Sequence, residues 1–297
     1  MNGTLIMLIG LPGSGKSTYA EKLKKENPDY EICSSDELRK ELYGDIDDQE
    51  HNSELFEVLH NRIREYLKNG VTVVYDATNI IKKKRIHFLN SVSCKKKCVL
   101  FIEDIDDCKI NNAKRDRNVP EEVIDKMRIN FCPPHFNEGF DEIKVIRRKR
   151  KSCGPSITKT LEFNQENSHH QHTLGEHLIK TANAFSDEEY ELKIAAYFHD
   201  LGKLHTKTNI KKDGTEDGNA HYYNHQHVSS YEFLCMDDLL EEETEMSLYI
   251  ANLIYYHMHP YLSWKQSPKT KERDKKLIGE KMFNDIMKLH EADLKAH

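Results

Sequence analysis

The apolar positions change period near the middle of the chain. Up to about residue 150, short runs rich in β-branched and aliphatic residues alternate with amphipathic stretches. "TLIMLIG", "YEICSS", "VTVVYDAT", "KCVLFIED" and "EIKVIRR" read as strands, and "GKSTYAEKLKKEN", "DELRKELYG", "SELFEVLHNRIREYLKNG" and "EEVIDKMRINF" as helices. Alternating strand and helix predicts an α/β doubly wound parallel sheet covered on both faces, with ligands at the carboxyl ends of the strands. From about 160 onward the apolar spacing is helical and no convincing strand is found, so an all-α domain is expected there. Gly154 and Pro155 mark a hinge between domains 1–152 and 153–297. The polar, glycine-containing stretch 206–221 reads as an exposed loop near the second site.

Phase along the later helices singles out ionisable groups on faces that belong to the core. His177 shares a stripe with Leu174, Leu178 and Phe185, and His199 with Leu192, Ala195 and Ala196. His257 falls with Ile250, Leu253 and Ile254, and Asp293 follows Met282, Ile286 and Leu289. One histidine on an apolar face is ordinarily a hydrogen-bonded core residue. Several on different helices, with a buried aspartate, call for a shared partner, because an unpaired buried carboxylate costs several kcal/mol. Imidazole and carboxylate together suit a divalent transition metal.

The first strand leads into Gly10-Leu-Pro-Gly13-Ser14-Gly15-Lys16-Ser17-Thr18, which fits G-x-x-x-x-G-K-[ST]. Its glycines turn backbone N–H groups toward phosphate oxygens, Lys16 reaches the β- and γ-phosphates, and Ser17 holds Mg²⁺. The loop therefore implies ATP or another nucleoside triphosphate with Mg²⁺. Asp36, just after the second strand, stands where a base would take a proton from an acceptor hydroxyl, and Arg39 follows one helical turn later. The competing reading is that Asp36 only caps its helix. Asp76 ends another buried strand, and Arg115 and Arg117 precede a proline-initiated helix, where guanidinium groups could close over a γ-phosphate.

Composition adds bounds. The chain has 297 residues, 37% hydrophobic and 32% charged, with a net charge of −6. That is globular, and not a polycation. Without a long apolar segment or a basic leader, the cytoplasm is expected, with no membrane partner. The seven cysteines read as reduced thiols, and Cys94 and Cys98, around three lysines, as a strand edge. The basic runs 82–85, 95–97 and 147–151 are either solvated faces or tracks for a phosphate backbone.

The motifs "GLPGSGKST", "SSDELRKELYG", "YDATN" and "KRDRNVPEEVIDKM" resemble the P-loop module of polynucleotide 5′-kinases. That resemblance implies ATP·Mg²⁺ on Lys16 and Ser17, Asp36 as general base, and Arg39 on the phosphate 3′ to the accepting nucleotide. It implies an essential strand-end acid in Asp76 and a lid arginine in Arg115. The sequence departs from the pattern at Asn111, where a second lid arginine would stand, and Arg117 is the candidate substitute. The order His177, His199-Asp200, Asp293, with "HDLGK", resembles the HD superfamily of metal-dependent phosphohydrolases over about 160–297. By that resemblance these four residues hold one metal and Lys203 contacts a substrate phosphate. His225 and His257 stand at the positions of two-metal members, implying one or two ions of Mn, Fe, Zn, Ni, Co or Cu. His172, His221, His227 and His259 are further candidates for the pocket lining. The pairing resembles bifunctional end-healing enzymes, whose partners are RNA or DNA ends and a downstream ligase. RNA fits better, because a 2′,3′-cyclic phosphate requires a 2′-hydroxyl. The alternatives are a nucleoside or metabolite kinase fused to a nucleotide phosphohydrolase, and an ATP-driven regulatory switch.

Overall fold

A computed structural model describes residues 3–46, 48, 50–115, 117–147, 154–166, 172–236 and 243–296. The chain divides into two compact units, one of residues 1–127 with 136–148, the other of 128–135 with 149–297. Most of the basic run 147–151 and Cys153 lie outside the described residues. The six described cysteines are free thiols. Among the described residues no helix is long and apolar enough to cross a membrane.

The first unit runs β1 (Thr4–Ile9), α1 (Lys16–Glu26), β2 (Glu31–Ser34), α2 (Ser35–Tyr43), α3 (Asn52–Lys68) and β3 (Val73–Asp76). It continues with α4 (Lys82–Leu89), β4 (Lys95–Ile102), α5 (Ile105–Ala113), α6 (Glu121–Ile129), a 3₁₀ turn at Phe136–Glu138, and β5 (Glu142–Arg147). The strands form one parallel sheet in the order β2-β3-β1-β4-β5, as the alternating pattern predicts. Ile6, Leu8, Val74, Val99 and Phe101 project from three adjacent strands into one packed cluster with Ala20 of α1. Register fixes the functional edge: Ile32 pairs with Val74 and Ser34 with Asp76, so β2 and β3 end level with each other.

Two helices, α4 and α5, escape the sequence reading. The first is hidden in the basic run 82–85, whose Arg85 is fully buried rather than solvated. Its guanidinium donates from Nε and Nη2 to the two carboxylate oxygens of Glu138, both at 2.7 Å. Nη1 donates to the carbonyl of Asn79 at 3.0 Å. The side chain of Asn79, at φ 48°, donates in turn to the carbonyl of Leu8 at the end of β1. One buried ion pair thus ties α4 and the 3₁₀ turn to the strand-end loops.

The second unit is built from α7 (Gly154–Glu162), α8 (Leu174–Ala182), a 3₁₀ turn at Asp187–Glu189, α9 (Tyr190–Phe198) and α10 (Lys203–Thr206). A hairpin of β6 (Lys207–Ile210) and β7 (Glu216–Tyr222) follows. Then come α11 (His225–Met236), α12 (Thr244–Tyr256), α13 (Ser263–Gln266) and α14 (Pro268–Lys295). The unit is helical, as expected, with one correction. The stretch read as a loop, 206–221, largely forms this two-stranded antiparallel hairpin. It escapes notice because a small, solvent-facing ribbon has no apolar alternation to betray it. Gly154 and Pro155, the expected hinge, stand at the first two positions of α7. Residues 128–135 pack in this unit through a buried Arg128–Glu232 ion pair at 2.9 Å, and Asn252 donates to the carbonyl of Pro134.

Removing one partner of a fully buried pair strands a charge, at a cost of about 3–5 kcal/mol. Glu138→Ala should lose stability on that scale in urea melts, and Arg85→Met with Glu138→Leu should regain most of it. Equal losses in the single and double variants would refute that account of the pair.

Candidate functional site

The three strand ends converge on the phosphate loop. β1 passes into residues 10–15, and α1 begins at Lys16 behind Gly15, which sits at φ 94° and offers no side-chain cap. The first N–H groups of α1 are therefore left facing outward, as an anion site requires. Gly13, at φ 78°, lies so close to α5 that a Cβ there would come within 2.1 Å of the carbonyl oxygen of Cys108. The buried ammonium of Lys16 donates to the carbonyl of Leu11 at 2.7 Å. Burial pushes its pKa down, and the Asp76 carboxylate partly offsets that.

A cavity of about 570 Å³ opens in front of the loop. Lys16, Ser17, Asp36, Arg39, Asp76, Arg115 and Arg117 all line it, so the kinase residues singled out in the sequence meet at one place. Ser34, not Asp36, caps α2, its side chain accepting from the N–H of Glu37 at 3.4 Å. That leaves the Asp36 carboxylate for the cavity. Three guanidinium groups surround it: Arg39 at 3.3 Å, Arg115 at 3.7 Å, and Arg117 in direct contact. Arg117 therefore stands beside Arg115 at this carboxylate, while Asn111 instead donates to the carbonyl of Gly13. Arg39 is buried and also donates to the side chain of Asn52 at 2.9 Å. Asn52, Phe56 and Thr78 line the cavity as well and were not singled out. Asn52 and Phe56 lie on α3, and only tertiary packing brings that helix to the strand ends.

In the second unit the same four helical faces do converge. A capping box between Thr173 and Glu176 fixes the start of α8 and sets His177 in its first turn. His199 and His257 cap the C-termini of α9 and α12, and His225 opens α11. Met282, Ile286 and Leu289 bury one face of α14 and carry Asp293 inward. Phe185, read on the His177 stripe, is buried but lies beyond the end of α8.

His177, His199, Asp200 and Asp293 form one donor group, and Asp200, His225 and His257 a second. Asp200 is common to both. Its Oδ2 lies 3.4 and 3.5 Å from Nε2 of His177 and His199, and its Oδ1 2.9 and 3.5 Å from Nε2 of His225 and His257. Asp293 Oδ1 is 3.1 Å from His177 Nε2. Three of the imidazoles are oriented by one repeated device. Nδ1 of His199, His225 and His257 donates to the carbonyl three residues earlier, of Ala196, Tyr222 and Ile254, at 2.7–2.8 Å. A neutral ring with its proton on Nδ1 turns a lone pair inward at Nε2. Yet Nε2 of His177 and His199 stand 3.2 Å apart, and those of His225 and His257 3.3 Å. Lone pairs and carboxylate oxygens at such spacing call for positive charge, and these donor types are ones that a divalent ion accepts. A proton is the alternative. Burial opposes charge on His177, but the carboxylates of Asp200 and Asp293 outweigh it and hold its pKa up at about 9. Burial alone would raise the pKa of Asp200, and Lys203 with the surrounding imidazoles holds it well below the usual range. Lys203 Nζ is 2.7 Å from Asp200 Oδ2.

The glycine of "HDLGK" has a packing reason. A Cβ at Gly202 would come within 2.2 Å of the His225 carbonyl oxygen, so only glycine lets α10 approach α11 and bring Asp200 to His225. The four spare histidines are engaged elsewhere. His172 contacts Lys180, and His221 contacts Asp217 at 3.1 Å. His227 donates to the carbonyl of Phe131, and His259 packs among Tyr255, Tyr256 and Trp264. None of them joins the described donor groups.

The first unit is a kinase-like P-loop domain. Residues 5–134 match the family described as an AAA domain, AAA_33. The chain is similar to the human heterogeneous nuclear ribonucleoprotein U-like protein 2, at 23% identity over 53% of this chain and 23% of that protein. It is also similar to the L-seryl-tRNA(Sec) kinase of Methanococcus maripaludis, at 27% identity over 54% of this chain and 66% of that one. The chain thus spans less than two thirds of the length of either relative. A fungal RNA kinase structure aligns with a TM-score of 0.40 and 14% identity, covering 54% of this chain and 42% of that one. At that TM-score the likeness carries no argument.

Gly202→Ala should cost about 1–3 kcal/mol in denaturant melts through overpacking. It should also weaken Mn²⁺ binding measured by calorimetry, because His225 is forced away from Asp200. Stability and metal binding both equal to the unsubstituted protein would refute the close-approach argument.

Proposed function

We propose that the chain heals the ends of broken polynucleotides, RNA above DNA, through two separate sites. In this reading residues 1–152 form an ATP-dependent 5′-hydroxyl kinase. Residues 153–297 form an HD-type phosphohydrolase that opens a 2′,3′-cyclic phosphate or removes a 2′- or 3′-phosphate. The observation that carries it is the presence, on one chain, of an aspartate–arginine cavity before a phosphate loop and two His/Asp donor groups sharing Asp200. A kinase and a phosphatase working on the same small substrate would cancel each other, whereas opposite ends of a strand break need both.

For the kinase, the β- and γ-phosphates lie against the outward N–H groups of α1 and Lys16, with Mg²⁺ on Ser17. The phosphates give Arg115 and Arg117 a competing partner and so draw them off Asp36. Asp36 then takes the proton of the acceptor hydroxyl as its oxygen bonds to the γ-phosphorus and ADP departs. Arg39, steadied by Asn52, grips an acceptor phosphate. Asp76, behind Lys16, orders the metal shell. The archaeal relative's name, a kinase whose acceptor is carried on tRNA, supports an RNA-borne acceptor.

For the hydrolase, His177, His199, Asp200 and Asp293 would hold one divalent ion, and Asp200, His225 and His257 a second. When bound, such ions supply an activated water and a positive clamp on phosphate. The protein's own part is to fix the imidazole tautomers through the three backbone carbonyls and to present Lys203 to a phosphate oxygen. A ligase acting on the healed ends would complete the repair.

An oligoribonucleotide with a 5′-hydroxyl and a 2′,3′-cyclic phosphate, incubated with ATP, Mg²⁺ and a Mn²⁺/Ni²⁺ series, should show both ends altered. Lys16→Ala and Asp36→Asn should each abolish 5′ phosphorylation and spare the 3′ reaction, and His199→Ala with Asp200→Ala the reverse. Stripping transition metals with a chelator before restoring Mg²⁺ should silence only the 3′ reaction. Transfer to nucleosides alone would favour a metabolite kinase. Function retained in Asp36→Asn but lost in Lys16→Ala would favour an ATP switch.

A further inference from the structure

The hairpin of β6 and β7 ends at Tyr222, whose carbonyl orients His225, and the Tyr222 ring gives the ribbon a second link to the His/Asp cluster through Lys203. The Lys203 ammonium, 2.7 Å from Asp200, also lies 5.5 Å from the centre of the Tyr222 ring. Gln165 holds both: its side-chain oxygen accepts from Lys203 at 2.7 Å, and its carbonyl accepts from the Tyr222 hydroxyl at 2.5 Å. Tyr222 meets Phe163 edge-on at 6.2 Å, and Lys207 lies 5.8 Å from the Phe163 ring. Lys212 repeats the pattern 5.1 Å from Tyr223, on which His221 stacks with an interplanar angle of 3°. Three aromatic rings on or beside one ribbon thus each carry a lysine ammonium. Phe163 is half-buried and borders a cavity of about 330 Å³ with Lys159, Glu162, Leu204 and His205.

Long-range attraction does not explain this surface. Between 207 and 222 three lysines face three acids, Asp213, Glu216 and Asp217. Lys207 is moreover paired with Glu166 at 2.7 Å. Short-range chemistry does. Flat rings with movable ammonium groups beside them offer stacking for bases and point charges for the intervening phosphates, without reading base edges. The rings of Tyr222, of Phe163 beside it and of the following residue Tyr223 offer more stacking surface than one base can use, which fits a longer strand.

We propose that Phe163, Tyr222 and Tyr223, with Lys207 and Lys212, form a platform for single-stranded nucleic acid that leads a strand end to the Asp200 cluster. The hydrolase substrate is then a polynucleotide terminus rather than a free nucleotide. This rests on the hydrolase reading for its direction, but the platform can be tested without turnover.

The test uses the full chain and an unstructured oligoribonucleotide of about ten residues, blocked by a dye at its 5′ end and ending in a 3′-hydroxyl. It offers neither proposed reaction a substrate, so fluorescence anisotropy reports binding alone. Phe163→Leu and Tyr223→Leu should each weaken binding about 5- to 100-fold. Lys207→Gln, at an exposed position that carries no folding risk, should lower the slope of log affinity against log salt by about 1. A blunt duplex of the same length should bind more weakly than the single strand. Unchanged affinity and salt slope in all three variants, or equal binding of duplex and single strand, would overturn the platform. Binding that weakens as expected in the variants, beside a failed end-group assay, would instead count against the hydrolase alone.

Discussion

The second unit depends on a single electrostatic constraint. Four imidazoles and two carboxylates are turned toward one another in a space that excludes water, and three of the rings have already committed their Nδ1 protons to backbone carbonyls. What remains at the centre is a set of lone pairs and carboxylate oxygens, relieved in part by the Lys203 ammonium and by a proton that Asp200 and Asp293 favour on His177. The backbone thus orients the cluster as much as its side chains do. The helix ends that carry His199, His225 and His257 are as much part of the site as the rings. Gly202 serves the same end by letting two helices come close enough for Asp200 to face both donor groups.

The first unit solves an opposite problem. There the fixed groups are donors: the unpaired N–H groups at the start of α1, the buried Lys16, and the arginines around Asp36. Such a cavity suits phosphate, whereas the second unit gathers imidazole and carboxylate donors around Asp200 and Lys203. Two such different sets of groups on one chain are what the proposal of two separate tasks rests on.

Much of the architecture was legible in the sequence, for identifiable reasons. The five strands announce themselves because both faces of a parallel sheet are buried, giving continuous apolar runs such as residues 5–9 and 98–102. The four convergent helices are readable because an ionisable residue in an otherwise apolar phase is conspicuous, as at His257 among Ile250, Leu253 and Ile254. α4 was hidden because its lysines advertise a solvated surface, while Arg85 spends its charge on Glu138, fifty-three positions away. The hairpin was hidden because neither of its faces is apolar. Asn52 and Phe56 were missed because nothing in an amphipathic helix tells which polar residue will meet a distant strand end. The helix-cap alternative for Asp36 gave way to a local detail, the hydroxyl of Ser34.

The division of Asp200 between the two donor groups reaches beyond chemistry into how such a protein can change. One carboxylate lends an oxygen to each neighbourhood, so neither can be reshaped without disturbing its twin. Any drift in the arrangement must then pass through the outlying imidazoles or the carbonyls that aim them. The shared aspartate acts as a yoke: it narrows the paths open to mutation and makes the two halves of the centre inherit their character together.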